Sequence, residues 1–448
     1  MDKRINERLK SIVGEGNVVA EPSVLRSYLE VVNDDNIGRR IRENEFAVVK
    51  PSSTSQVVEL VRLAVKEKIA IIPRGAGTSR EGAALPLGSA VVLDFSLMSR
   101  VLNIDEEDCL VVAEPGIPLE MLEVKLGEWG LRLGHGPDHA TLGGAIATNS
   151  LGQRSSRHGD MRNFVADLEV VLGDGGVIHT GRSVWRNNTG YDLTQLFVGS
   201  EGTLGVITSA TLRVGPKPEW TAKRMYAFEG SLEDAVGVAR EVENAFQPVS
   251  NRADDHARND GKVCTVRVSF EGKKEAAERQ VRLCDDLIRK GGGEPVPDDF
   301  AEEFIRRRSV KAFEMGVRPK DERSVPEEPG IRFSDWKRSL EKWKGLCAER
   351  GITYAGCQLN VSYPGVVTFY STYPTGRPEL VEAYRELMEE FYSYVISIGG
   401  TFSATHGVGN RMNRFMAAQY PPRNLKLMAG LKDLFDPGHV LNPGKVLP

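Results

Sequence analysis

No two of the five cysteines in this 448-residue chain form a CxxC pair. Cys109, Cys264, Cys284, Cys347 and Cys357 lie scattered, which excludes a disulfide framework and a cysteine-ligated iron–sulfur cluster of the usual spacing. A reducing, cytoplasmic setting is the expectation. No run of about 18 apolar residues is present to span a bilayer. The opening Met1-Asp-Lys-Arg-Ile-Asn-Glu7 lacks the apolar core of a signal peptide, so any membrane contact is expected to be peripheral. A charge excess is missing too. The 58 basic and 62 acidic residues leave a net charge of −4, which argues against nucleic acid as a partner. A small-molecule substrate is expected instead, and self-association into a homo-oligomer is compatible with this composition.

Two nucleotide loops are also absent. The chain runs Ala70-Ile-Ile-Pro-Arg-Gly-Ala-Gly-Thr-Ser79, a buried strand that Pro73 stops, then a Gly-rich turn. A Rossmann fingerprint would need glycine at position 80, where Arg80 stands, and a P-loop would need a Gly-Lys-Ser/Thr ending. What is present is backbone able to approach a ligand: Gly75 and Gly77 free the turn to present its N–H groups to a pyrophosphate. A second glycine-dense stretch spans 134–159, and a third, Phe197-Val-Gly-Ser-Glu-Gly-Thr-Leu-Gly-Val-Ile207, enters the alternating strand 206–214. Three such clusters interleaved with strands point to one extended dinucleotide site.

The hydrophobic content of 40% suffices for two domains. Helical spacing predicts helices over 53–68, 119–129, 273–290 and 379–396, and alternation predicts strands at 264–270, 366–370 and 401–403. Residues 168–179 read as a hairpin, and the Pro- and charge-rich stretch 316–330 as a loop. Mixed elements in this order indicate an α+β fold rather than a doubly wound parallel sheet. Pro216-Lys-Pro218 marks a boundary, giving a first domain over 1–215, a cap over 216–397 and a return to the first domain over 398–448.

The motifs Pro73–Ser79, Gly143-Gly-Ala-Ile-Ala-Thr-Asn149, Thr189-Gly-Tyr-Asp-Leu193, Gly199–Gly205 and Asp436-Pro…Leu441-Asn-Pro-Gly-Lys445 together resemble the FAD-linked oxidase family, which has the vanillyl-alcohol-oxidase-type flavoprotein fold. Its branch of D-lactate dehydrogenase, glycolate oxidase FAD subunit and alkylglycerone-phosphate synthase is the most similar. The resemblance implies a two-subdomain FAD-binding domain with an α/β cap over the flavin. It implies FAD contacts from Arg74, Gly75, Ala76, Gly77, Thr78 and Ser79, from Pro137, Thr141, Gly143, Gly144, Thr148 and Asn149, from Glu201, Gly202, Gly205, Val206 and Ile207, and from Asn442. No histidine falls in the Arg74–Ser79 turn, so FAD is expected to be non-covalent. Lys445 reads as an exposed residue.

His406, in Thr405-His-Gly-Val-Gly409, is the candidate base. Histidine titrates near neutrality and suits proton transfer from a hydroxyl, and the glycines after it would let a substrate approach. A structural histidine bonded to a loop carbonyl is the competing reading, and the resemblance favours the catalytic one. His135, His139 and His158 read as buttresses of the flavin stretch, His256 and His439 as surface residues. A carboxylate substrate would need a guanidinium. The resemblance favours Arg307, after Phe304, with Arg318, Arg411 and Arg414 as rivals. The metal-dependent members of the branch carry histidines on a cap strand and a glutamate before the His-Gly. Here the cap segment reads Leu359-Asn-Val-Ser-Tyr-Pro-Gly365 and residue 405 is threonine, so no metal is expected. The resemblance implies oxidation of a small 2-hydroxy acid of the D-lactate or glycolate kind, with oxygen, a quinone or a protein as acceptor, and the missing metal ligands depart from that pattern. Ser362-Tyr363 and Ser403…His406-Gly-Val-Gly409 support the alternative of an alkylglycerone-phosphate-synthase-like transferase.

Overall fold

The computed structural model describes residues 2–19, 21–29, 45–136, 139–255, 263–297, 322–362, 365–374 and 376–447. The chain divides into two compact units. One comprises Met1–Gly152, Asp160–Lys217 and His406–Pro448, the other Gln153–Gly159 and Pro218–Thr405.

Within the first unit, the strands Phe46–Val49 and Ala70–Arg74 both pair in parallel with Ala90–Asp94. Their apolar sequences (Phe-Ala-Val-Val, Ala-Val-Val-Leu) suit strands covered on both faces. The helix Thr54–Glu67 joins two of them. Its N-cap, Ser53, accepts a hydrogen bond from the Gln56 N–H, and Lys68 in the left-handed region ends it. Val57, Leu60, Val61 and Ala64 lie on its buried side with Ile71, Val91 and Leu93. A second, antiparallel sheet orders its strands Val101–Asp105, Leu110–Ala113, Val206–Arg213, Val165–Val171 and Val177–His179. The last two form the hairpin legible in the sequence.

The C-terminal segment completes this unit. The Ile71 N–H donates to Val440 O at 2.7 Å and the Asn442 N–H to Ile71 O at 2.8 Å, so residues 440–442 lie alongside the strand that feeds the Gly-rich turn. The buried Lys432 donates to Asp436 Oδ2 (2.5 Å), Thr203 O (2.7 Å) and Leu441 O (2.6 Å). One ammonium thereby ties the C-terminal helix Pro422–Phe435 to the third glycine cluster.

Among the described residues the second unit is built on a seven-stranded antiparallel sheet. Helices Leu232–Phe246, Lys274–Lys290, Trp336–Glu349 and Pro378–Ser397 pack with it. Trp343, Phe369 and Phe391 form its aromatic centre, with ring centroids 4.8–5.6 Å apart. Two expectations change here. Glu322–Glu327, expected as loop, is a strand. Among the described residues it pairs with Val367–Pro374 alone, at the sheet's edge, where Pro326 costs no ladder bond. Its buried Glu327 accepts hydrogen bonds from Tyr384 (2.7 Å) and Tyr392 (2.5 Å). Conversely, 401–403 forms no strand, only a bridge from Thr401 to Gly330. That bridge, with the Ala404 N–H on Glu328 O, keeps 401–405 with the second unit. The return to the first unit comes at His406 rather than at 398. No helix among the described residues is long and apolar enough to cross a membrane.

Candidate functional site

The Gly-rich turn is held from beneath. The Arg74 Nη1 donates to Tyr28 O at 3.0 Å and the guanidinium stacks 4.8 Å above the Tyr28 ring. Gly77 has φ +72°, and a Cβ there would stand 2.2 Å from Arg74 Nη2. Arg74 therefore supports the turn, and the side chain missing from Gly77 makes room for it. Ser79 Oγ accepts from the Ala83 N–H at 3.2 Å and closes the far side. Gly75 and Thr78 are half-buried, and Ala76 is exposed at the tip. A Cβ on Gly75 would lie 1.9 Å from Thr141 Oγ1, so the first glycine cluster touches the second.

The remaining expected contacts sort by what their side chains already do. Thr148 Oγ1 donates to Gly144 O at 2.9 Å. Asn149, at φ +47°, donates to Asp160 Oδ2 and accepts from the Arg162 N–H. Val206 and Ile207 are buried in the core. A Cβ on Gly143 would strike Pro115, on Gly202 Pro73, and on Gly205 Val170. These residues offer a ligand backbone only. Among the described residues of this unit, the buried polar atoms without a hydrogen-bond partner include Thr141 Oγ1, Asn442 Oδ1 and Lys445 Nζ. Buried groups of this kind are satisfied in native proteins, and a polar cofactor lying across them would satisfy them. The residues fit the expected FAD. Pro137 lies outside the described residues.

Glu201 is the hub. It is buried, left-handed at φ +52°, and its carboxylate accepts from the Val408 N–H at 2.5 Å and the Gly409 N–H at 2.8 Å. Its carbonyl accepts from Asn442 Nδ2 at 2.6 Å. Burial pushes its pKa up to about 7. The two N–H donors oppose that rise, Glu81 adds to it and Lys445 opposes it. The turn bearing the half-buried His406 is thus fixed by a carboxylate from the third glycine cluster. The glycines after His406 also make room for protein atoms. A Cβ on Gly407 would lie 2.5 Å from Glu201 Oε1 and one on Gly409 1.8 Å from Glu81 O. They admit protein neighbours to the turn.

Lys445 corrects the sequence reading, being 3% exposed. Arg411 is buried against Glu81 at 2.8 Å, an internal ion pair and not a free clamp for a carboxylate. Arg414 is exposed, 4.9 Å from the Phe415 ring. His135 is fully buried, with Nε2 2.8 Å from Ser150 Oγ. His139 pairs with Glu120 and His439 with Asp433 on the surface. His158 belongs to the second unit. Arg307, Arg318, His256 and Tyr363 lie outside the described residues. Ser362 donates to Glu243 Oε2 at 2.6 Å. Among the described residues no group of three or more His, Cys, Asp or Glu side chains could hold a metal ion. The strand Thr353–Asn360 carries no histidine. Sequence reasoning missed the Glu81–Arg411 pair and the burial of Lys445.

Comparison with known proteins agrees with this geometry. A family model for an FAD binding domain matches residues 46–181, and one for the C-terminal domain of FAD linked oxidases matches residues 228–446. The chain is 28% identical to the glycolate oxidase subunit GlcD of Bacillus subtilis, over 96% of each chain. It is 30% identical to the probable mitochondrial D-lactate dehydrogenase of Danio rerio, over 99% of this chain and 92% of the relative. Solved structures share the fold. An alkyldihydroxyacetonephosphate synthase superposes with TM-score 0.77 at 22% identity, covering 99% of this chain and 85% of that one. The 4-ethylphenol oxidase of Gulosibacter chungangensis superposes with TM-score 0.79 at 17% identity, covering 99% and 96%.

Proposed function

The chain belongs to the FAD-linked oxidase family and is an FAD-dependent oxidoreductase, and from that premise we propose that it oxidises a small 2-hydroxy acid of the D-lactate or glycolate kind. The observation that carries this reading is the His406 turn, pinned by Glu201 in the same unit as the Gly-rich FAD turn. Relatives named as a glycolate oxidase subunit and as D-lactate dehydrogenases, matched over nearly their whole length, support the substrate class. Bound FAD would supply the two-electron acceptor for the substrate Cα hydride. The work of the chain is to hold the acid and remove its hydroxyl proton. His406 takes that proton, presented on a backbone whose two following N–H groups cannot drift from Glu201. Arg307 holds the carboxylate, because a guanidinium matches it with two parallel hydrogen bonds. The final electron acceptor is oxygen, a quinone or a separate protein, since the chain carries no cluster motif.

A second reading, a transferase of the ether-lipid-synthase kind, is favoured by one observation. Threonine at 405 and a histidine-free strand 353–360 depart from the metal-dependent dehydrogenase pattern. One experiment separates the two. The FAD-loaded protein is mixed anaerobically with both enantiomers of lactate, with glycolate and with an acyl-dihydroxyacetone phosphate, and flavin absorbance is followed. Bleaching by a hydroxy acid supports the oxidoreductase. Bleaching only by the acyl phosphate, with fatty acid released, overturns it.

A further inference from the structure

Two lysines of the C-terminal segment are buried, and their surroundings are opposite. Lys432 Nζ has three oxygen acceptors within 2.7 Å. Lys445 Nζ has none. An ammonium left without partners in a protein interior is expensive, and the backbone shows that its position is enforced. Asn442, Gly444 and Val446 take φ values of +42°, +75° and +59°. Val446 is β-branched, for which the left-handed region is a genuine outlier. Its N–H donates to Gly409 O at 3.2 Å, which fastens the strained segment to the His406 turn. Strain of this kind persists where surrounding structure over-determines it, and it clusters at ligand sites. Burial pushes the Lys445 pKa down to about 7, with Glu201 opposing the fall.

The nearby anion does not account for the lysine. Glu201 is occupied by the Val408 and Gly409 N–H groups, and its attraction to Lys445 acts without a hydrogen bond. The cation therefore awaits a partner from outside the chain. Its neighbours indicate which end of the cofactor that is. The Gly75–Gly77 turn offers the backbone N–H groups suited to a pyrophosphate, whereas the segment that carries Lys445 is fastened to the turn of the proposed base by the Val446 N–H on Gly409 O. We propose that Lys445 is the cation at the reacting end of the FAD site, placed to stabilise the negative charge that the flavin ring gains when it accepts two electrons and one proton as a hydride. This placement rests on the reading of His406 as the base. Hydride transfer leaves the ring one unit more negative, no further proton is required, and a fixed ammonium favours the reduced over the oxidised form.

The test is a redox titration of the FAD-loaded protein against reference dyes. It needs no substrate and so stands or falls apart from the hydroxy acid assignment. K445M, which keeps the side chain's length without its charge, is expected to weaken the preference for the reduced cofactor ten- to hundredfold, equivalent to lowering the two-electron midpoint potential by roughly 30–60 mV. K445R is expected to recover most of the loss. The apoprotein of K445M is expected to melt no lower than wild type, because the lysine has no protein partner to lose. An unchanged midpoint potential in K445M overturns the proposal, even if FAD affinity falls, since the lysine would then serve the phosphates. A K445M apoprotein that cannot fold overturns it too, by making the ammonium a structural requirement.

Discussion

Glu201 Oε2 lies 2.8 Å from the N–H of Gly409, 208 residues further along the chain. This hydrogen bond and its companion to Val408 fasten the His406 turn to the third glycine cluster. Both are accepted by the Glu201 carboxyl group, and such bonds are worth about 0.5–1.5 kcal/mol each to a neutral acceptor and about 1.5–3 kcal/mol to a charged one. Gly409→Ala removes the geometry that permits them. A Cβ would meet Glu81 O at 1.8 Å in a backbone already at φ +54°. The expected loss is roughly 3 kcal/mol or more by urea unfolding, with weakened FAD retention. Gly190→Ala, also at positive φ (+78°) but with nothing within 4 Å of its Cβ, should cost only about 1 kcal/mol.

The apoprotein should show two opposed pH limbs meeting near neutrality. The Glu201 pKa rises from 4.5 to about 7 through burial. The folded state therefore holds its proton more tightly than the unfolded one, and the associated stability is present below pH 4.5 and lost as pH rises through 7. Lys445 falls from 10.5 to about 7, again through burial. Its contribution is present above pH 10.5 and lost as pH drops through 7. The limbs are on the order of 3 kcal/mol for Glu201 and 5 kcal/mol for Lys445. Melting curves across this range should show E201Q gaining on wild type between pH 4.5 and 7, and K445M gaining on it as pH falls from 10.5 to 7. Parallel curves for all three proteins would refute the assignment.

Glu81 and Arg411 form a buried ion pair whose two halves are not equally replaceable. R411M leaves the Glu81 carboxylate, 5% exposed, without its cation, and breaking such a pair costs about 3–5 kcal/mol. The double variant E81Q/R411M removes both charges and should regain most of the loss. Chemical denaturation of the two single variants and the double one gives the coupling directly. If the losses simply add, the pair is not a unit.

These relationships also mark where the sequence stopped being legible. The hairpin at 168–179, the helix 54–67 and the Gly-rich turn could be read because each is written in adjacent residues as alternation, helical spacing or glycine. The strand 322–327 was hidden by Pro326, which an edge position tolerates. Residues 401–403 resembled a strand by composition, but among the described residues they form a single bridge, to Gly330. The glycines of 407 and 409 were legible as glycines but not in purpose, because the atoms they make room for belong to Glu201 and Glu81. Lys445 was the least legible. Nothing in Asn-Pro-Gly-Lys distinguishes an exposed lysine from a buried one until Val440 and Asn442 are seen hydrogen-bonded along Ile71.

His406→Gln is the decisive substitution for the proposed chemistry. Glutamine approximates the bulk of the imidazole and can still form hydrogen bonds, but it cannot take a proton near neutral pH. The turn itself is held by the Val408 and Gly409 N–H groups, which the substitution leaves in place, so FAD content and melting temperature should match wild type. Losing a general base costs about 10²–10⁴-fold in rate. In stopped-flow mixing with the hydroxy acid that bleaches wild type, flavin reduction should slow by that factor and lose its rise with pH. Reduction at the wild-type rate would move the proton transfer to another residue while leaving the role of Glu201 in fixing the turn intact.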